Sequence, residues 1–165
     1  MSSSSMKTRR HLVMGAAVAG AASALPLPAL AQANKLPAND PLAPNPVEFN
    51  NTMTRFTGGA KPLGEGLVLD VPLLADNPSA VPVKVKVTLP ITEKDWCEEI
   101  IVLAELNPSP LACRLFFSAD TGTAEAAVRV RLSQSQNVHA LARMKSGKIL
   151  AAKQSVTVAV SGCGM

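Results

Sequence analysis

Val81-Pro82-Val83-Lys84-Val85-Lys86-Val87-Thr88-Leu89 is the stretch whose reading decides the fold. Five apolar residues alternate there with a proline, two lysines and a threonine. Successive side chains of a strand point to opposite faces, so period two with one apolar face predicts a half-buried β-strand. Pro82 has no N–H to give to a ladder, which places it on an edge strand or among the first residues of its strand. Lys84 and Lys86 then read as a solvated face, with an added role in protecting an edge.

The pattern continues on both sides of this strand. Leu67–Leu74 predicts a preceding strand. Ile100–Leu106 and Leu111–Phe117 predict two more, joined by Asn107-Pro108-Ser109-Pro110, a run of turn residues. Ala124–Leu132 alternates Val128, Val130 and Leu132 against Arg129 and Arg131. Val138–Met144 and Ile149–Lys153 flank a hairpin turn at Lys145-Ser146-Gly147-Lys148, and Ser155–Val160 is the last strand. Seven or eight short strands with regular turns argue for an all-β fold, an immunoglobulin-like antiparallel β-sandwich of residues 61–160. A flexible C-terminal arm, residues 161–165, follows it. Residues 34–60 hold Pro37, Pro41, Pro44 and Pro46 and read as an extended N-terminal arm, with room for a short helical turn at Glu48–Met53. No glycine-rich phosphate loop, internal repeat or long amphipathic helix stands out beyond the first 33 residues.

Residues 1–33 have the layout of an export signal. Lys7, Arg9 and Arg10 precede an Ala-rich apolar run from Leu12 to about Leu25, followed by the small-residue boxes Ala29-Leu30-Ala31 and Ala31-Gln32-Ala33. Pro26 and Pro28 cut the run short of a membrane span. Thr8-Arg9-Arg10-His11-Leu12-Val13 resembles a twin-arginine motif, and the mild hydrophobicity of the run favours that route over general secretion. The expected location is periplasmic, without membrane insertion after cleavage. Cleavage removes three of the 16 basic residues and none of the 12 acidic ones, leaving 13 against 12, a net charge of +1. Such a balance calls for neither nucleic acid nor an anionic membrane as partner.

The chemistry-bearing residues are cysteines. An odd count, Cys97, Cys113 and Cys163, flags a free reactive thiol or an intermolecular bond in an exported protein. Cys163 stands in Val160-Ser161-Gly162-Cys163-Gly164-Met165. Gly162 and Gly164 lack a Cβ and give the cysteine mobility and a slim profile. That setting suits a sulfur that must enter narrow pockets on other proteins; the alternative is a frayed tail with an incidental thiol. The carboxylate two residues on would disfavour the thiolate, so a basic pocket on a partner is the natural place to activate it. For Cys97 and Cys113, a tight hairpin at Asn107–Pro110 sets Cys113 opposite Ala104 and Cys97 opposite Asp120. The two thiols are then about seven positions apart, over ~20 Å, where a disulfide needs Cα atoms within ~7 Å. They read as buried apolar residues.

Other candidates are weaker. His139 falls on the strand face opposite Val138 and Ala140; a Cys163–His139 pair is conceivable, but one histidine without an orienting partner points to a satisfied or solvated side chain. Arg129, Arg131 and Arg143 form either an anion-attracting patch or a solvated strand face. No Cys-x-x-Cys or His-x-x-His spacing marks a metal site.

Four segments together resemble one family. The tail Val158-Ala159-Val160-Ser161-Gly162-Cys163-Gly164 is similar to the Gly-Gly-Cys-Gly-Gly end of SoxY, the sulfur-carrier subunit of the periplasmic thiosulfate-oxidising Sox system. Ala104-Glu105-Leu106-Asn107-Pro108-Ser109-Pro110-Leu111 resembles the family's Ala-Glu-Lys-Asn-Pro-x-Pro turn. The stretch from Arg129 through Ser133-Gln134-Ser135-Gln136-Asn137-Val138 resembles its Arg-Leu-x-x-Ser-Gln-Asn-Val run, and the twin-arginine-like signal also fits. The resemblance covers about residue 65 to the end, plus the signal. It implies an immunoglobulin-like fold, a heterodimer with a SoxZ-like subunit and covalent S–S adducts on Cys163, with Gly162 and Gly164 as the flexible arm. It also implies that SoxAX, SoxCD and SoxB load, oxidise and hydrolytically release the sulfur, so that the carrier is no enzyme and holds no cofactor or metal of its own. Ser161 and Met165 stand where the family has glycine, and Cys97 and Cys113 are additional to its usual single cysteine.

Overall fold

The structure, a computed structural model, describes residues 41–159. The first helix, α1, is Pro46–Thr57; the strands are β1 Leu67–Asp70, β2 Leu74–Ala75, β3 Val81–Val87, β4 Cys97–Ala104, β5 Leu111–Phe116, β6 Glu125–Val130, β7 Gln136–Met144 and β8 Ile149–Val158. They form two sheets in the orders β1-β3-β6 and β2-β8-β7-β4-β5. All pairings are antiparallel except β2 with β8, which is parallel. The immunoglobulin-like sandwich read from the alternation is the observed architecture.

The deciding stretch behaves as its pattern requires. Val81, Val83, Val85 and Val87 are at most 5% exposed, and the residues between them face solvent. β3 is nevertheless the central strand of its sheet, not an edge. Pro82 is tolerated because it is the second residue of β3, where β6 pairs with it through Arg129 but β1 has ended at Asp70 opposite Lys84. Lys84 and Lys86 therefore protect no edge; both reach Glu125 on the solvated face, at 2.7 and 3.0 Å.

The segment predicted as Leu67–Leu74 divides at Val71-Pro72. β1 joins the smaller sheet and β2 crosses to the larger one, where it pairs with the end of β8. Ile149–Lys153 and Ser155–Val160, read as two strands, are the single strand β8. Gln154, at their junction, donates its amide to Val71 O at 2.6 Å, tying the β1–β2 connection to β8. The Lys145–Lys148 hairpin is present, with Gly147 at φ +83° as its left-handed residue.

The reading of residues 34–60 as an extended arm is corrected at Pro46–Thr57, which form α1. The local chemistry explains it. Asn45 is the N-cap, accepting from Glu48 N at 3.0 Å; Pro46 occupies the first turn, where no N–H is missed; Gly58 ends the helix at φ +59° with its N–H on Thr54 O. Phe49, Thr52, Met53 and Phe56 follow one another at helical spacing on one face. Phe49, Met53 and Phe56 pack with Ile101, Leu103, Leu141 and Ile149, a second core on the outer face of the larger sheet.

β4 is consequently buried on both faces. Ile100, Val102 and Ala104 enter the main core between the sheets, and Ile101 and Leu103 lie under α1. Its unbroken apolar run is the sequence mark of two-sided burial. Arg143, read as a patch or surface residue, clamps the helix: Nη2 donates to Phe56 O at 2.7 Å and the guanidinium lies 4.4 Å over the Phe56 ring. The buried Glu99 sits between Arg143 and Arg114, at 3.4 and 2.6 Å. Replacing Arg143 by alanine is expected to cost about 1–3 kcal/mol, its charge being partly exposed. Urea titration with amide exchange checks this: the α1 amides should lose more protection than those of β3.

Candidate functional site

Residues 160–165, and with them Cys163, Gly162 and Gly164, lie outside the described residues. What the structure defines is the end of the sandwich from which they follow. There β8 finishes against β2: Thr157 N–H donates to Leu73 O at 2.8 Å and Ala159 N–H to Ala75 O at 2.9 Å. Val158 N–H donates to Ser135 Oγ at 2.9 Å on the β6–β7 connection.

The side chain of Asn107 holds this end together. Its Oδ1 accepts from Ser133 N at 3.0 Å, Ser133 Oγ at 3.1 Å and Gln136 Nε2 at 2.8 Å, while Nδ2 donates to Arg131 O at 2.8 Å. Buried Gln136 in turn accepts from Leu106 N at 2.7 Å. Asn107 thus joins the β4–β5 turn to the β6–β7 connection and the start of β7, 24 to 29 residues away in sequence. Two of the motifs that carried the family resemblance converge here, beside the end of β8. Between them opens a groove of about 1090 Å³, lined among others by Leu111, Arg129, Arg131, Leu132, Val158 and Ala159. Sequence reasoning missed the groove and the Asn107 hub, because neither leaves a local signal. Arg129 and Arg131 stand exposed, with no ion pair among the described residues.

The other two thiols lie elsewhere. Cys113 is opposite Val102, not Ala104 as the ideal hairpin predicted, because the turn closes earlier, with Ala104 N–H on Pro110 O; this moves the partners by three residues, and a bulge between Leu111 and Cys113 restores one. Cys97 opposes Met144, and both cysteines are free thiols. Val102 pairs with Ala140 and Ala140 with Ala152, so Cys113 is level with a residue seven positions before Ala159. At ~3.3 Å per residue that is about 23 Å. The four residues from Ala159 to Cys163 span at most about 14 Å. Within one chain Cys163 therefore reaches neither thiol, since Cys97 lies farther still, beside the β7–β8 turn.

Burial pushes the Cys97 thiol up to about 11 and raises Cys113 as well, so both resist ionisation. His139 takes the expected face, with Val138 and Ala140 in the core on the other side. It does have an orienting partner: Nε2 is 3.2 Å from Glu105 Oε2, which also accepts from Asn137 at 2.8 Å, and the ring meets Phe49 edge-on at 5.1 Å. His139 pairs across the sheet with Lys153, six residues before Ala159, about 20 Å away and beyond Cys163's tether. Among the described residues no group of three His, Cys, Asp or Glu could hold a metal ion.

Two outcomes follow. Burial lowers His139 below its ordinary 6.5 in spite of Glu105, with Lys153 adding to the effect. The unfolded chain then takes up this proton first, so stability is full above about pH 6.5 and falls as pH drops. Glu105, held below its ordinary 4.5 by Asn137 and His139, adds a further loss at lower pH. His139→Gln should remove the upper step from a pH series of thermal melts. In iodoacetamide labelling of the folded protein followed by mass spectrometry, Cys163 should react fully before Cys113 and Cys97, with Cys97 labelled only on unfolding.

The family model described as "Sulfur oxidation protein SoxY" matches residues 53–163, beginning inside α1 and ending on Cys163. No curated protein sequence matches the chain. Among solved structures, the sulfur carrier protein SoxY from Chlorobium limicola f. thiosulfatophilum is similar, with a TM-score of 0.56 at 19% identity over 70% of this chain and 100% of that one. A superoxide reductase (neelaredoxin) from Ignicoccus hospitalis has a TM-score of 0.51 at 15% identity over 58% of this chain and 81% of its own. At these identities both likenesses carry the fold alone. The family match spans most of the chain and both motif segments around Asn107, and on that ground the chain belongs to the SoxY family of sulfur oxidation proteins.

Proposed function

We propose that this chain is a periplasmic sulfur carrier, exported by its twin-arginine signal, that holds sulfur intermediates covalently on Cys163 and is no enzyme itself. The observation that carries the reading is the family match ending on Cys163, four residues beyond Ala159, whose N–H is bound to Ala75 O just after β8. A rigid strand end, a short glycine-flanked tether and a single reachable thiol are what a carrier needs. The cysteine can enter a partner's pocket while the sandwich stays outside.

In loading, the Cys163 thiolate and the outer sulfur of thiosulfate join in an S–S bond, and the two electrons released pass to a cytochrome of the SoxAX kind. In release, water attacks the terminal sulfonate sulfur, giving sulfate and leaving a persulfide on the cysteine, the work of a SoxB-like hydrolase. A SoxCD-like dehydrogenase would oxidise that persulfide, and a SoxZ-like subunit completes the heterodimer. The groove at the end of β8, flanked by Arg129 and Arg131, lies within the tether's reach and offers an anionic adduct a partly apolar, cationic refuge beside its attachment point.

Non-reducing intact mass after incubation with thiosulfate and SoxAX tests the reading. Wild type should gain one thiosulfonate, mapped to the peptide holding Cys163, and Cys163→Ser should gain nothing. No gain in the wild type, or a gain that persists in Cys163→Ser, would overturn it.

A further inference from the structure

The first described residues and the last meet at one place. Leu42 lines the groove together with Val158 and Ala159 at the end of β8. The segment before it, Leu36-Pro37-Ala38-Asn39-Asp40-Pro41, therefore joins the fold at the wall of the same groove from which the tether to Cys163 leaves. The groove itself has charge of one sign. Arg129 and Arg131 are its charged lining residues, and no carboxylate stands among the residues that line it. Neither arginine has an ion pair among the described residues. Leu111 and Val158 add apolar surface to the wall. Such a groove fits an occupant with a negative charge, an apolar side chain and a narrow, extended backbone.

Residues 36–40 bring that chemistry to the groove. Asp40 is the one charged residue from Leu36 to Val47. Its Cα lies within about 7 Å of that of Leu42, because two residues of chain span no more. Leu36, six residues before Leu42, has a reach of about 20 Å along the groove. Both residues precede proline, in Leu36-Pro37 and Asp40-Pro41, where the helical region is disfavoured and the backbone is biased to extended conformations. Docking therefore costs less backbone freedom than it would for an unrestricted chain. The short connection to Leu42 also sets an effective concentration on the order of millimolar, so contacts too weak to hold a free peptide suffice.

We propose that residues 36–40 dock in this groove of their own chain as a strap, with the Asp40 carboxylate on the guanidiniums of Arg129 and Arg131 and Leu36 against the apolar wall. The strap neutralises the two cations and covers Leu111 beside the root of the tether. Under the carrier reading, an anionic adduct on Cys163 competes with Asp40 for the same guanidiniums. That consequence rests on the carrier reading; the docking of the strap does not.

A nitroxide on Ala38→Cys, in a chain that also carries Cys97→Ala, Cys113→Ala and Cys163→Ser so that position 38 holds the sole thiol, tests this by paramagnetic broadening of amide signals. The Leu111 and Ala112 amides should be broadened. Asp40→Arg replaces a surface ion pair by repulsion and should cut that broadening at least ~3-fold. Adding Arg129→Asp and Arg131→Asp to Asp40→Arg reverses every charge of the contact and should restore it. Arg129 and Arg131 being exposed, the β3 and β7 amide shifts should stay those of the parent chain. No broadening at Leu111 and Ala112, broadening that Asp40→Arg leaves unchanged, or no recovery on full charge reversal would overturn the proposal. Broadening that falls as the sample is diluted would put the strap in another molecule's groove and overturn it too. The labelled chain has no Cys163, so failure here leaves the carrier reading standing.

Discussion

The larger sheet must be dry on both faces, and the rest of the molecule is arranged to keep it so. Ile101, Leu103, Leu141 and Ile149 would face water if α1 left, each a loss of about 1.5–3 kcal/mol in burial. The helix is therefore a structural layer, and its attachment is specific. Phe56 seals the apolar contact, while Arg143 binds both the last turn of the helix and buried Glu99. A carboxylate buried alone would be costly; two guanidiniums offset that cost and fix the helix over β4 and β7.

A sheet held this way defines where the chain leaves it. β8 pairs with β7 from Ile149 to Val156 and is fastened at its far end by β2 and by Ser135. The tether to Cys163 starts from a fixed point, and a fixed start gives the thiol a limited sphere. That sphere contains the groove and excludes Cys97 and Cys113, so these two thiols do not compete with Cys163 for the proposed cargo inside one molecule. Placement accomplishes this, and burial strengthens it by keeping both extra thiols protonated.

How far the sequence could be read depends on the range of the interaction. Period-two alternation is local, and β3, β6 and β7 could be placed from it. The capping signals of α1, Asn45-Pro46 and Gly58, are local too, but the density of prolines before them led to an extended reading. The early closure of the β4–β5 turn, with Ala104 N–H on Pro110 O, left no mark, so the hairpin was found while Cys113 was placed two residues out of register. β8 was read as two strands, and the bond that ties its middle down, Gln154 to Val71 O, spans 83 residues and leaves no local sign. Asn107, Ser133 and Gln136 announced themselves only as motif fragments; their convergence belongs to the fold. Cys163 was singled out by its glycine neighbours, and it lies outside the described residues.

The central claim is that one thiol of three does the carrying. The most direct measurement is thiosulfate-dependent electron transfer in a reconstituted Sox system supplied with the Cys97→Ala/Cys113→Ala double variant, in which Cys163 is the sole cysteine. The account predicts turnover equal to that of wild type once the variant is shown to be folded. Loss of turnover in the folded double variant would contradict it.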